Sequence, residues 1–313
     1  MNVEIPEGKT KRIEPYDHPF EPRRCRPRNK DDTTAGDGAR HDVIAGKAAI
    51  STRTTVNIFR LLKACGFPIA FDGEETDRSG DETSFIAYEL DMIMLEVVTR
   101  GLAYGSYLER NPHAKKGDPF ETPLVEFFLK TKGRLWPVPK GVISLRCDDP
   151  LMEIVNDGVY LHHAHETFVR GGHFTRLTLD EAFPVPGTRE LLPVMASINA
   201  AIYHTLRYAF LLVGGAEGLD ITFPDMKIEY GFDSLRRLWV GDVIDAESCR
   251  LLVNGEHASK QGFREGAPPE LAKLQLARAA DITDRFPQVT PRVQEWVNQH
   301  FAFVASEHIP ILC

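Results

Sequence analysis

From residue 225 to 230 charged and apolar side chains alternate without a break: Asp225, Met226, Lys227, Ile228, Glu229, Tyr230. A period of two predicts a β-strand that carries Asp225, Lys227 and Glu229 on one face. The chain turns near Asp233 and Ser234, and 237–242 reads as the returning strand of a hairpin over 223–245. Glu229 and Asp242 would then meet across that hairpin.

Other segments follow different periods. Val56, Phe59, Leu61 and Leu62 recur at helical spacing in 51–65, and Gly66 suits the helix stop. Residues 190–213 predict a long helix with Pro193 in its first turn and Gly214-Gly215 at its end. Two more helices are expected at 269–282 and 291–306, the second opened by Thr290-Pro291. Strands are predicted at 67–72 and 123–130, with a polar turn at 74–82. Residues 85–100 predict two strands joined near Asp91. The first fifty residues read as short strands and loops, and 131–147, with Gly, Pro and several bases, as a loop or irregular insertion. This order lacks the regular β-α-β alternation of a doubly wound sheet. An α+β protein with two lobes around a cleft fits it better.

The chain has 313 residues, 42% hydrophobic and 26% charged, as in a soluble globular protein. A net charge of −8 argues against nucleic acid as a partner. The basic run 23–30 is read as a solvated loop. Five scattered cysteines (25, 65, 147, 249, 313) form no Cys-x-x-Cys and suit reduced thiols in the cytoplasm. The N-terminus lacks the apolar stretch of a signal peptide. The most apolar segment, 193–213, contains Asn199, His204 and Arg207, which makes it a buried helix and not a membrane span.

Candidate chemistry is spread along the chain. Asp225, Lys227, Glu229 and Asp242 suit a magnesium ion carrying a polyphosphate, although the pattern alone favours a solvated charged hairpin. Gly8, Lys9 and Lys11 could line a phosphate or form a plain solvated terminus. Arg100, followed by Gly105 and Ser106, offers a guanidinium fork, a hydroxyl and turn amides to a phosphate monoester, or a surface ion pair. The Asp/Gly-rich stretch 31–40 is not an EF-hand loop. His162, His163 and His165 lack the spacing of a zinc site, so a polar loop or exposed helix face is expected there. No dinucleotide or Walker fingerprint occurs.

The order of these blocks is more specific than any one of them. Gly8-Lys9-x-Lys11, Asp32 through Arg40 with Asp37, and Gly46-Lys47 resemble the opening of the SAICAR synthetase family. Leu90 to Arg100, Gly105-Ser106, the block 125–130 ending in Lys130, and Asp148-Asp149-Pro150 are similar to its middle motifs. Asp225 to Gly231, Gly241-Asp242 and Ser248-Cys249-Arg250-Leu251 resemble its late signature, so the likeness runs over about 5–265.

The resemblance implies an N-terminal β-rich lobe (1–90), an ATP-grasp-like α+β lobe (91–265) and C-terminal helices packed on it (266–313). It implies an ATP- and Mg²⁺-dependent ligase that joins a carboxylated aminoimidazole ribonucleotide to L-aspartate through an acyl phosphate, in purine biosynthesis. Lys9, Lys11 and Lys227 would meet ATP phosphates, and adenine would sit near Met92. Glu229 and Asp242 would hold magnesium, supported by catalytic Asp225 and Asp37. Arg100, Ser106 and Arg250 would take the ribotide phosphate, with Lys130 and Asp149 on the acceptor side. The resemblance leaves a homodimer open and gives no base for the amine. Some positions depart from the family pattern: Gly101 replaces a common Asn, Leu252 a common Trp, and 243–247 (Val-Ile-Asp-Ala-Glu) a Glu-x-Ser-Pro-Asp run. The departures leave two alternatives open. One is a paralogue using another azole ribotide or another amine; the other is an inactive nucleotide-binding regulator.

Overall fold

A computed structural model describes residues 8, 10–35, 39–72 and 82–301. The described chain opens with four short strands, β1 (Lys11–Tyr16), β2 (Arg24–Asn29), β3 (Asp32–Ala35) and β4 (Arg40–Val43), and helix α1 (Lys47–Ala64). Next come β5 (Ala87–Tyr88), β6 (Asp91–Met92), β7 (Leu95–Leu102), the short helix α2 (Ser106–Arg110) and the long strand β8 (Pro119–Leu129). A hairpin of β9 (Leu135–Val138) and β10 (Gly141–Ser144) precedes β11 (Leu151–Val155), β12 (Gly158–His162) and β13 (Thr175–Leu177). Helices α3 (Leu179–Ala182) and α4 (Thr188–Glu217) lead to β14 (Ile221–Thr222), β15 (Asp225–Phe232) and β16 (Leu238–Gly241). The described chain ends with β17 (Leu252–Val253), β18 (Glu256–His257), α5 (Gln261–Arg264), α6 (Pro269–Thr283) and α7 (Phe286–His300).

An eight-stranded sheet carries the site. Its order is β13-β12-β11-β8-β7-β15-β16, with β6 also pairing β15. The strand predicted from alternation is β15, which pairs antiparallel with β7 (Lys227 opposite Val98) and with β16 (Glu229 opposite Gly241). Its other face, Met226, Ile228 and Tyr230, is buried. Helix α4 packs on the sheet through Met195, Ile198, Ile202 and Leu206 at steps of three and four. Burying each such side chain contributes roughly 1.5–3 kcal/mol. Polar ties then fix where the apolar helix sits. Asn199 donates to Thr99 Oγ1 at 2.7 Å and to the Val97 carbonyl at 3.1 Å, while Tyr230 Oη reaches Asn199 Oδ1 at 3.0 Å. Both site strands are thereby pinned to one helix. One apolar cluster runs from Phe59 of α1 through Val97 and Tyr230 to Val293 of α7. Helix α6 lies along α1, and α7 packs on α4.

Several elements differ from the sequence reading. Residues 135–144 form a regular hairpin where an irregular insertion was expected; buried Trp136 anchors it by donating Nε1 to the Glu181 carbonyl at 2.9 Å. The stretch 67–72 makes only isolated bridges, Ile69 with Val240 and Phe71 with Ala87. Helix α7 starts at Phe286, so Pro287 is its first-turn proline and Pro291 lies inside it. His162 ends strand β12 and is buried against Glu153 at 2.8 Å, so it occupies neither a loop nor an exposed helix. Most of the expected turn at 74–82 lies outside the described residues, as do 302–306 of the last expected helix.

Candidate active site

The charged face of β15 holds two connected clusters. At one end, Lys227 Nζ donates to Glu229 Oε1 and to Glu96 Oε1, each at 2.7 Å. Lys130, at the end of β8, pairs with the other Glu229 oxygen. Across the hairpin Lys11 pairs with Asp242, which holds a left-handed backbone (φ 58°). Three lysines and three carboxylates therefore converge where β1, β7, β8, β15 and β16 come together.

Burial disfavours the charges of Glu229, Lys227 and Lys11, and the partners decide the outcome. Burial raises the Glu229 carboxyl, but Lys227, Lys130 and Lys11 outweigh it and hold it at about 2. Lys227 is pulled down by burial, yet Glu96 and Glu229 raise it overall above the ordinary lysine value. Lys11 is brought down to about 8 by burial, with Lys227 and Lys130 adding and Glu229 opposing.

At the other end of the strand, Asp225 Oδ2 accepts from Arg100 Nη1 at 2.9 Å and Arg250 Nη1 at 2.5 Å. Arg100 also donates to Glu126 Oε2 (2.7 Å), Ser106 Oγ (3.2 Å) and the Tyr104 carbonyl (3.1 Å). Arg100 is 3% exposed, so its fork chiefly positions Asp225 and Ser106. Arg250 lies against the turn at Gly105, where φ is +59° and a Cβ would come within 2.4 Å of its Nη2. Only glycine accommodates both conditions.

The remaining expected residues fall around these clusters. Met92 lies on β6, whose register sets it opposite Gly231, and its Sδ would be 3.2 Å from a Cβ at Gly231 or Gly241. Asp149 lies in the turn before β11, bonded to Thr131 just past the end of β8. Lys9 and Asp37 lie outside the described residues.

Sequence reasoning missed several participants. Arg110 is buried, donates to Ser106 Oγ at 3.0 Å and pairs with Glu126. Its position four residues after Ser106 on α2 was the available signal. Glu247 joins Lys47 (2.7 Å), Lys260 (3.2 Å) and Thr33 Oγ1 (3.3 Å) from three separate segments. Burial opposes the Glu247 charge, but Lys47 and Lys260 outweigh it and hold its carboxyl low. Within the same loop Asp245 Oδ1 caps the amides of Glu247 (2.8 Å) and Ser248 (3.1 Å). Nothing local in the sequence marks Glu247, Lys47 or Lys260 as one group.

An α+β sheet with lysines and carboxylates clustered at one end of a strand and arginines at the other is the layout of a phosphoryl-handling carboxylate–amine ligase. The profile of the SAICAR synthetase family matches residues 4–134 and 176–275. Phosphoribosylaminoimidazole-succinocarboxamide synthase of Roseiflexus sp. (strain RS-1) is 33% identical over 306 residues, 96% of this chain and 99% of that protein. The same enzyme of Chloroflexus aurantiacus is 32% identical over 93% of this chain and 96% of its own. Among solved structures, a SAICAR synthetase in complex with ADP superposes with a TM-score of 0.60 at 24% identity, covering 88% of this chain and 97% of that one. The synthase from Ehrlichia chaffeensis gives 0.64 at 21%, covering 90% and 99%. The chain belongs to the SAICAR synthetase family, ATP-dependent ligases of purine biosynthesis with an ATP-grasp-like fold.

Proposed function

We propose that this chain joins a carboxylated aminoimidazole ribonucleotide to L-aspartate, with ATP cleaved to ADP and phosphate. The observation that carries the reading is the strand β15 itself. Its Lys227–Glu229 end gathers lysines and acids suited to a triphosphate, and its Asp225 end gathers Arg100 and Arg250 beside Ser106.

Lys227 and Lys11 hold the ATP phosphates, with Lys9 completing the set, and the β6 segment at Met92 receives adenine. Glu229 and Asp242 are hard oxygen donors, brought close by the Glu229–Gly241 register. Among the described residues no group of three or more His, Cys, Asp or Glu could hold a metal. Two carboxylates plus phosphate oxygens and water suit magnesium, which is seldom caged by protein alone. When bound there, magnesium supplies charge neutralisation to the transferring phosphoryl group. Asp225, expected beside the magnesium, is instead held between Arg100 and Arg250 at the far end of the strand and orients them; Lys130 and Asp149 face the acceptor, and Arg250 with Ser106 binds the ribotide phosphate. A carboxylate is a poor acyl donor. Its oxygen therefore takes the γ-phosphoryl group of ATP, and the amine displaces phosphate from the resulting acyl phosphate.

The test combines protein, ATP, Mg²⁺, the carboxyaminoimidazole ribotide and aspartate, and follows ADP and the succinocarboxamide by mass. Both products are expected, and folded protein that forms neither overturns the reading. A second reading keeps the chemistry and changes the amine or azole. Glu247, in the run that departs from the family pattern, is locked to Lys47 and Lys260 and supports it. A panel of amines and azole acids decides, because strict preference for aspartate with the aminoimidazole removes it.

A further inference from the structure

Asp149 lies between the two stretches matched by the family profile, and its backbone φ is +41°. A residue with a Cβ rarely adopts this conformation unless its surroundings impose it. Here Thr131 imposes it from both sides. The Thr131 amide donates to Asp149 Oδ1 at 2.7 Å, and the Asp149 amide donates to Thr131 Oγ1 at 3.0 Å. Leu129 N donates to the Pro150 carbonyl at 3.0 Å and closes the same turn. The carboxyl is thus fixed one residue past Lys130, which pairs with Glu229.

The Thr131 amide bonds to Oδ1, while the Thr131 hydroxyl donates to Asp148 Oδ1 at 2.8 Å, which leaves Asp149 Oδ2 for an incoming proton. The charged groups facing Asp149 are Glu96, Asp148 and Lys227. Burial, then Glu96, push its carboxyl up to about 6, with Asp148 adding and the Thr131 amide and Lys227 opposing. A carboxylate in this range is ionised at neutral pH and more basic than an ordinary aspartate.

An amino acid arrives at neutral pH as an ammonium ion, which has no lone pair to attack with. We propose that Asp149 is the general base that deprotonates the acceptor amine, an assignment that rests on the ligase reading above. Asp149 Oδ2 takes one ammonium proton, and the freed nitrogen lone pair forms the C–N bond to the acyl carbon. The C–O bond to phosphate breaks and its electron pair leaves on the phosphate oxygen. The second surplus N–H proton passes to the departing phosphate, so the amide keeps one hydrogen.

The experiment compares wild type with Asp149→Asn, which keeps an oxygen for the Thr131 amide, using two acceptors. Aspartate must lose a proton to react, whereas hydroxylamine is largely neutral at pH 7.5. With aspartate the variant should lose roughly 100-fold or more in kcat, the usual range for a lost general base. With hydroxylamine, followed as hydroxamate and ADP, it should stay within about threefold of wild type. Equal losses with both acceptors would assign Asp149 to positioning or to acyl-phosphate formation and overturn the proposal. A near-normal rate with aspartate would overturn it too. Wild-type protein silent with both acceptors would sink the ligase reading, and this assignment with it.

Discussion

Lys227 and Glu229, two positions apart on one strand, touch: the ammonium sits 2.7 Å from Oε1, and Glu96 from the neighbouring strand holds the same ammonium at 2.7 Å. Neighbouring same-face side chains of a strand lie roughly 7 Å apart at Cα, so only a long, flexible lysine closes this gap. The contact keeps both side chains ionised in a buried place.

Replacing Glu229 by Gln removes a charge and leaves the shape. If Glu229 ligates the catalytic metal, turnover should fall at least ~100-fold, the size of effect seen when one electrostatic stabiliser is lost. Steady-state kinetics with a Mg²⁺ titration checks this, and a near-normal kcat would show the metal assignment to be wrong.

The same carboxyl gives the protein a signature in acid. Its folded value of about 2 lies below the ordinary 4.5. Its contribution, on the order of 3 kcal/mol, is fully present above pH ~4.5 and disappears as pH falls toward 2. Urea midpoints should therefore drop between pH 5 and pH 3 in wild type, and the drop should be shallower in Glu229→Gln.

Glu247→Ala would leave Lys47, fully buried, and Lys260, 8% exposed, without their shared counter-charge. Breaking a buried pair by removing one partner costs about 3–5 kcal/mol. Thermal melting should show a loss of several degrees or more, and Glu247→Gln, which still accepts hydrogen bonds, should lose less.

Gly101 stands where a Cβ would lie 1.9 Å from Tyr203 Oη and 2.6 Å from Cζ. Tyr203 cannot yield freely, because its hydroxyl donates to the Phe223 carbonyl at 2.9 Å and its ring stacks on Phe223. Gly101→Asn should destabilise by about 2 kcal/mol or more through overpacking and the lost hydrogen bond. Adding Tyr203→Ala should recover part of that loss, measured as a double-mutant cycle by urea denaturation.

Elements with one clean period were legible in the sequence. The alternation at 225–230 marked β15 and its charged face, and the apolar run opened by Pro193 marked α4. The β9–β10 hairpin was obscured because Pro137, Pro139 and nearby bases mimic loop composition, while its anchor, Trp136, takes its meaning from distant Glu181. Pro291 misled the reading of α7 because two prolines, 287 and 291, both satisfy a start signal. The site divided the same way. Asp225, Lys227, Glu229 and Asp242 lie close in sequence, and their placement on one hairpin was legible, whereas joining Thr33 and Lys47 to Glu247 needs contacts 214 and 200 residues apart. The Asp149 clamp was hidden because its partner, Thr131, lies 18 residues away across the β9–β10 hairpin.

Because Asp225 and Glu229 share one extended strand, their separation is a fixed ruler of about 13 Å, four residues at the usual rise. On the proposed reading, a ribotide with its phosphate beside Arg250 would have to span that ruler to bring its carboxylate to the Lys227–Glu229 end. On that reading, a substrate homologue one methylene longer or shorter would reach the phosphoryl end out of step, and the rigid strand would select for length.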